Sequence, residues 1–380
     1  MKSDFIPYGR QYIDNKDIDE IVKILKSGWL VQGPKIEEFE KAVAKYCNAK
    51  YAVAVSSGTA ALHAAYFAAK IGFGDEVIIS SLNFAAASNI IAILGGRPVF
   101  VDIQKDTLNM EFKNLEKKIT KKTKAIVPVD FAGHPCDLDE IMRIAKKYNL
   151  LVIEDAAHSL GSEYRGCRIG SIADMTIFSF HPVKLITTGE GGMILTNNKK
   201  FYEKLKKFRH HSIVKKPKKG GWYYEIEEPG LNMRITDFQC ALGLSQFNKM
   251  KEFIKRRKDI VAEYNDTFKN INGIIIPSER EYIKSSYHLY IIQLDFNIIK
   301  TSRKKIFEEL QKRNIGVQVH YIPLHLQPFY RKKFGYRKGD FPVVENYYKR
   351  AITLPLFPKM TGTQTRRVIK TVKEVISGYM

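Results

Sequence analysis

The chain has 380 residues, of which 44% are hydrophobic and 27% charged, and its formal net charge is +22. This length exceeds the roughly 250–300 residues at which one hydrophobic core stops growing, so two domains are expected. The composition excludes a disordered or fibrous chain, and no apolar run nears the roughly 20 residues of a membrane span.

The first residues, Met1-Lys2-Ser3-Asp4, meet an acid at once and do not read as a secretory signal. Cys47, Cys136, Cys167 and Cys240 lie far apart with no CxxC pair, which predicts reduced, mostly buried thiols in a cytoplasmic protein and no metal site. Lysines are spread along the whole chain, and the densest run, Lys215-Lys216-Pro217-Lys218-Lys219, reads as an exposed loop. Without a helix-turn-helix, zinc or RNA-binding pattern, a basic nucleic-acid-binding protein stands only as the alternative from another class.

From about Lys41 to Asn197 short apolar runs alternate with amphipathic stretches. Strands are expected at Tyr51–Val55, Glu76–Ile79, Pro98–Val101, Ala125–Val129 and Leu150–Ile153, with helices from Ala60, over Ala85–Leu94 and from about Asp137 to Tyr148. Strands this apolar, separated by helices, imply a mostly parallel sheet buried on both faces. The tail reads as a smaller α+β unit. It has a charged helix over Lys249–Phe268, strands at His288–Leu294 and Gly316–His320, and helices at Arg303–Arg313 and Gly362–Ser377. Domains are therefore expected at 1–248 and 249–380.

Four segments carry the chemistry. At Ser56-Ser57-Gly58-Thr59-Ala60 a strand runs into a small-residue turn that opens a helix. Its N–H groups suit a phosphate, with hydroxyls of Ser57 and Thr59 beside them; it is equally an ordinary capped turn. At Glu154-Asp155-Ala156-Ala157-His158 a strand delivers carboxylates at its carboxyl end, the ligand side of an open α/β sheet. Asp155 suits a protonated pyridine nitrogen, a helix cap or a magnesium ion. Lys184 follows the strand ending at Ser179-Phe180 and precedes Thr187-Thr188-Gly189-Glu190-Gly191-Gly192; desolvation there would lower its pKa, whereas a lone lysine is usually solvated. In Gly230-Leu231-Asn232-Met233-Arg234 an amide and a guanidinium precede a helix capped by Thr236.

With these segments in order, the chain resembles the DegT/DnrJ/EryC1/StrS nucleotide-sugar aminotransferases from about Tyr8 nearly to its end. The resemblance implies the aspartate-aminotransferase fold (fold type I): an α/β large domain and a smaller C-terminal α+β domain. It also implies pyridoxal 5'-phosphate as cofactor. Lys184 would hold it as a Schiff base and shuttle the proton, Asp155 would pair with the ring nitrogen, and His158 would sit near the ring's 3-oxygen. Phe84 would stack on the ring. The amides of Gly58, Thr59 and Ala60, with Ser179, would hold the phosphate, and Asn232 would reach it from the neighbouring subunit of a homodimer with shared active sites.

Within the family the likeness is greatest to the branch that aminates a UDP-linked 4-keto-6-deoxy-N-acetylhexosamine for pseudaminic acid, with L-glutamate as donor. By that likeness Tyr8, Gly28, Trp29, Leu30, Val31, Ser57, Ser179, Asn232, Gln318, Val319, His320 and Tyr321 would line the sugar-nucleotide pocket. The chain departs from that branch at Arg209-His210-His211-Ser212, at Gly58 and Ala60 within the phosphate turn, and at Trp29. A family branch that dehydrates sugars carries histidine in place of the lysine, and this chain keeps Lys184.

Overall fold

The computed structural model describes residues 4–380; the start at Met1-Lys2-Ser3 lies outside the described residues. Seven strands build the central sheet: β1 (Tyr51–Val55), β2 (Glu76–Ser80), β3 (Arg97–Val101), β4 (Thr123–Val127), β5 (Leu151–Asp155), β6 (Met175–Ser179) and β7 (Gly192–Thr196). Their spatial order is β1-β7-β6-β5-β4-β2-β3. Only β7 runs antiparallel to its neighbours.

The apolar runs serve two cores at once because successive side chains leave opposite faces. Val53, Val77, Ile79, Val127, Ile153 and Ile177 pack into one core, while Ala54, Ile78, Ile126, Val152 and Phe178 pack into the other. Helices α1 (Asn15–Ser27), α2 (Pro34–Cys47), α3 (Gly58–Ala68), α4 (Ala85–Ile93), α5 (Leu138–Tyr148), α6 (Lys199–Phe208) and α7 (Asp237–Asn248) accompany the sheet. The α3 start is fixed by Ser57, whose Oγ accepts the Ala60 N–H at 3.0 Å; Thr236 and Gln239 form a reciprocal capping box at α7.

After α7 the chain turns at Lys249 into α8 (Met250–Phe268). An antiparallel sheet of β8 (Ile274–Ile275), β9 (Tyr290–Leu294) and β10 (Ala351–Leu354) follows, together with α9 (Arg303–Lys312), α10 (Pro328–Phe334), α11 (Pro342–Arg350) and α12 (Gly362–Ser377). A third core holds Ile260, Tyr264, Ile292, Leu310 and Val372, and it takes in Ile6 from the N-terminal segment. Leu289, Leu324, Tyr347 and Ala351 instead join the first core, so the tail is seated directly on the sheet domain.

One expectation needs correction. Gly316–His320 is no strand: Gln318 alone pairs with Thr353, in one isolated bridge, and Gln318–Ile322 line the cavity described below. The lysine-rich run is mostly exposed, as expected of a loop, and it forms the connection of a hairpin between Ile213–Lys215 and Tyr224–Ile226. Lys216 and Lys219 lie 3.2 Å from Glu227 and 2.7 Å from Glu225, so part of the excess charge is locally paired. Among the described residues Cys47, Cys136 and Cys240 are buried and Cys167 is exposed, all as free thiols. No helix among them is long and apolar enough to cross a membrane, and none of their His, Cys, Asp and Glu side chains cluster as metal ligands.

Candidate active site

The carboxyl ends of β1, β2, β4, β5 and β6 open on one cavity of about 740 Å³. This is the edge where open α/β sheets bind ligands. Its lining gathers Tyr8, Ser57, Gly58, Thr59, Phe84, Asp155, His158, Ser179, Lys184, Gln318, Val319, His320 and Tyr321. The antiparallel β7 brings its start to the same edge, and there Gly192 is required: a Cβ would fall 2.3 Å from the Ser57 carbonyl oxygen. A Cβ on Gly58 would lie 3.0 Å from the Ser179 Cβ, so glycine lets the α3 turn rest on that serine.

Lys184 is the one amine among the lining residues described. Burial lowers its pKa from the ordinary 10.5 to about 8, against the opposing pull of the Asp155 charge. Asp155 is buried at the end of β5 and accepts the Ala157 N–H at 3.3 Å. Its own pKa is raised by burial, while that N–H and Lys184 pull it back. Glu154 points to the opposite face, where Thr176 Oγ1 donates to it at 2.8 Å; burial and the Asp130 charge push its carboxyl well up.

His158 packs against His288 with tilted rings whose centroids are 4.3 Å apart, and its Nε2 lies 3.4 Å from the Tyr321 hydroxyl. Its Nδ1 is buried without a hydrogen-bond partner in the protein. Burial and then the Lys184 charge hold His158 well below the usual histidine range, and the same causes bring His320 down to about 4. The imidazoles are therefore neutral near pH 7. Phe84 stands 61% exposed at the opposite wall, tilted toward Tyr321 at 5.9 Å.

Pyridoxal phosphate fits these residues. The exposed Phe84 ring offers an aromatic platform, the buried Asp155 an anion for the ring nitrogen, and the orphaned His158 Nδ1 a polar contact. The first turn of α3 offers the N–H groups of Gly58 and Thr59 with Ser179 beside them.

Three groups of expected residues are not brought to the cavity. The Ala60 N–H is already taken by Ser57 Oγ, which narrows the expected phosphate cradle. Gly28, Trp29, Leu30 and Val31 leave the end of α1 and are pinned to the start of α7 by the Val31–Thr236 bridge and the Asp237 N–H to Leu30 oxygen bond of 2.9 Å. Asn232 is held in a bridge with His210, away from its own chain's cavity. Conversely, sequence reasoning assigned no role to Asn83, Phe131, Glu190, His288 and Gln327, which do line it. Asn83 and Glu190 adjoin assigned motifs; Phe131, His288 and Gln327 arrive through turns whose meeting has no local sequence signal.

The profile of the DegT/DnrJ/EryC1/StrS aminotransferase family matches residues 11–373. A spore coat polysaccharide biosynthesis protein, SpsC, of Bacillus subtilis is 42% identical over 99% of this chain and 98% of its own length. The UDP-4-amino-4,6-dideoxy-N-acetyl-beta-L-altrosamine transaminase of Campylobacter jejuni is 39% identical over 98% of this chain and 97% of its own. Helicobacter pylori PseC, an aminotransferase of pseudaminic acid biosynthesis, superimposes with a TM-score of 0.93 at 31% identity, covering 99% of this chain and 100% of that one. A Streptococcus pneumoniae protein at 35% identity is known in PMP and PLP forms, with TM-scores of 0.93 and 0.92. The fold is that of the fold type I pyridoxal phosphate enzymes. The chain is thus an aminotransferase with pyridoxal phosphate as its cofactor, and it belongs to the DegT/DnrJ/EryC1/StrS aminotransferase family.

Proposed function

We propose that the enzyme moves an amino group from L-glutamate to C4 of a UDP-linked 4-keto-6-deoxy-N-acetylhexosamine, in the cytoplasm, as the amination step of pseudaminic acid formation. The observation that carries this reading is the pairing of Lys184 and Asp155 in one cavity, in a chain so similar to the Campylobacter transaminase and to PseC. A panel of UDP-4-keto sugars tests it. Turnover should be highest with the 6-deoxy-N-acetyl-β-L sugar, and equal or higher turnover with another keto sugar would overturn the pathway assignment.

When bound, pyridoxal phosphate supplies an electron sink and carries the amino group between donor and keto sugar. The residues then divide the work. Lys184 Nζ would hold the cofactor and afterwards move the proton at the amino-bearing carbon. Asp155 would keep the ring nitrogen protonated, neutral His158 would serve the 3-oxygen, Phe84 would offer its ring to the cofactor's, and Gly58, Thr59 and Ser179 would hold the phosphate. Tyr8, Ser57 and Gln318–Tyr321 contact the sugar nucleotide.

An amine with a pKa near 8 is about a tenth neutral at pH 7, where an ordinary lysine is almost wholly charged. Cofactor uptake by apoenzyme requires the neutral amine. Its rate should therefore climb with pH and level off above a midpoint near 8; stopped-flow absorbance reads it directly, and a midpoint near 10.5 would show an unperturbed amine.

The displaced segments fit a homodimer with shared sites. Trp29, Leu30, Val31 and Leu231 are exposed apolar residues near Asn232, outside their own cavity. In this reading they and Asn232 complete the partner's site. Co-refolding Lys184→Ala with Asn232→Ala should recover activity that neither variant shows alone, because a heterodimer carries one intact site. Heterodimers without recovery would place Asn232 in the service of its own chain.

A second reading is an aminotransferase for another nucleotide-linked keto sugar, of the bacillosamine, perosamine or 4-amino-arabinose type. Two observations favour it: the 42% identity to SpsC, and His210, which departs from the branch and lies 2.6 Å from Arg234 Nη1.

A further inference from the structure

Ser81, His325 and Glu345 form a chain of buried side chains outside the cavity. Ser81 Oγ lies 2.6 Å from His325 Nδ1, and His325 Nε2 lies 3.0 Å from Glu345 Oε1. Ser81 and His325 have no exposed surface and Glu345 has 7%. A serine, histidine and acid in this order look like an acyl-transfer apparatus, but the hydroxyl has no opening through which a substrate could reach it. The Gly339 N–H also donates to Glu345 Oε1, at 2.6 Å. Against the upward push of burial, that N–H and His325 hold Glu345 below the usual carboxylate range. Glu345 is thus the acceptor, His325 Nε2 donates to it, and the His325 Nδ1 faces the Ser81 hydroxyl.

The three residues connect the two walls of the active-site cavity. Ser81 follows β2 and stands two residues before Asn83, where the wall of Asn83 and Phe84 begins. His325 follows Gln318–Ile322 and Leu324, which form the facing wall, and precedes Gln327 on it. The backbone repeats the link once, through the Leu324 N–H to Ser81 oxygen bond of 2.9 Å. Phe84 and Tyr321, one from each wall, meet as a tilted aromatic pair with ring centroids 5.9 Å apart.

We propose that His325 is a positioning residue: by bridging Ser81 to Glu345 it sets how the Phe84 wall and the Tyr321 wall stand to each other around the cavity that would take cofactor and sugar. The proposal rests on the cavity being the aminotransferase site and, for the sugar alone, on the proposed substrate.

His325→Phe removes the bridge but puts an apolar ring against a buried carboxylate, and it can fail on folding alone. Ser81→Ala is the decisive variant, since it deletes one oxygen and leaves the backbone link in place. Loaded Ser81→Ala enzyme should show an altered visible circular dichroism band. Its KM for the UDP-4-keto-6-deoxy-N-acetyl-β-L sugar should rise about fivefold to tenfold, the scale of one buried hydrogen bond, with kcat nearly kept. Ser81→Thr, which restores the hydroxyl, should recover both readouts. A Ser81→Ala enzyme with a lower melting temperature but wild-type KM and dichroism would overturn the proposal and leave His325 as a stabilising contact. If wild-type enzyme ignored that sugar, the substrate reading would fail alone, because the dichroism band and the KM for glutamate still report how the two walls stand.

Discussion

Lys184→Ala is expected to fold and to lose turnover on the order of a millionfold, the scale on which removing a covalent group lowers activity. No other amine among the described lining residues can replace it. Attachment needs a neutral nitrogen, which burial provides by bringing this lysine to about 8, and the later proton transfer needs the same nitrogen above the reacting carbon. Alanine removes both. Borohydride reduction of loaded wild-type enzyme should fix the cofactor to the peptide carrying Lys184. Cofactor fixed to another lysine, or turnover retained by the alanine variant, would contradict the assignment.

Asp155→Asn should lower turnover by about a hundredfold to a thousandfold, the loss seen when one preorganised group in a closed site is removed. Asparagine fills the same space and can still accept the Ala157 N–H, so folding should be retained. What disappears is the negative charge that, in the proposed role of Asp155, would keep the ring nitrogen protonated. The substitution has a second, signed consequence. The Asp155 charge raises the Lys184 pKa against burial, so its loss should move the midpoint of cofactor uptake below 8. Near wild-type turnover with an unmoved midpoint would reduce Asp155 to a structural acceptor.

The place of both residues in the cavity was legible in the sequence because each rides on a local pattern. Asp155 closes an apolar strand and Lys184 follows another, and strand ends converge on one edge wherever a sheet is parallel. The strands of the sheet domain were readable for the same reason, with boundaries off by one or two residues. β7 went unassigned even though its Gly191-Gly192 start was quoted, since antiparallel insertion leaves no periodic mark. What sequence could not show was tertiary. Nothing near His288 says that it will pack against His158, and nothing near Ser81 says that it will meet His325, 244 residues later. The phosphate turn was read with one N–H too many, because Ser57 serves both as helix cap and as neighbour of the site. Gly28–Val31 was expected to line the sugar-nucleotide pocket, and the bridge at Val31 sets it beside the start of α7, outside its own chain's cavity.

The central claim is tested most directly by following nitrogen. Wild-type enzyme is incubated with glutamate labelled in its amino nitrogen and the UDP-linked 4-keto-6-deoxy-N-acetyl-β-L-hexosamine, and the product is examined by mass spectrometry and NMR. The account predicts a UDP-4-amino sugar with the label bonded to C4 and a matching amount of 2-oxoglutarate, both absent with Lys184→Ala. Label that stays in glutamate while the keto sugar is recovered unchanged, from enzyme that carries its cofactor, would contradict it.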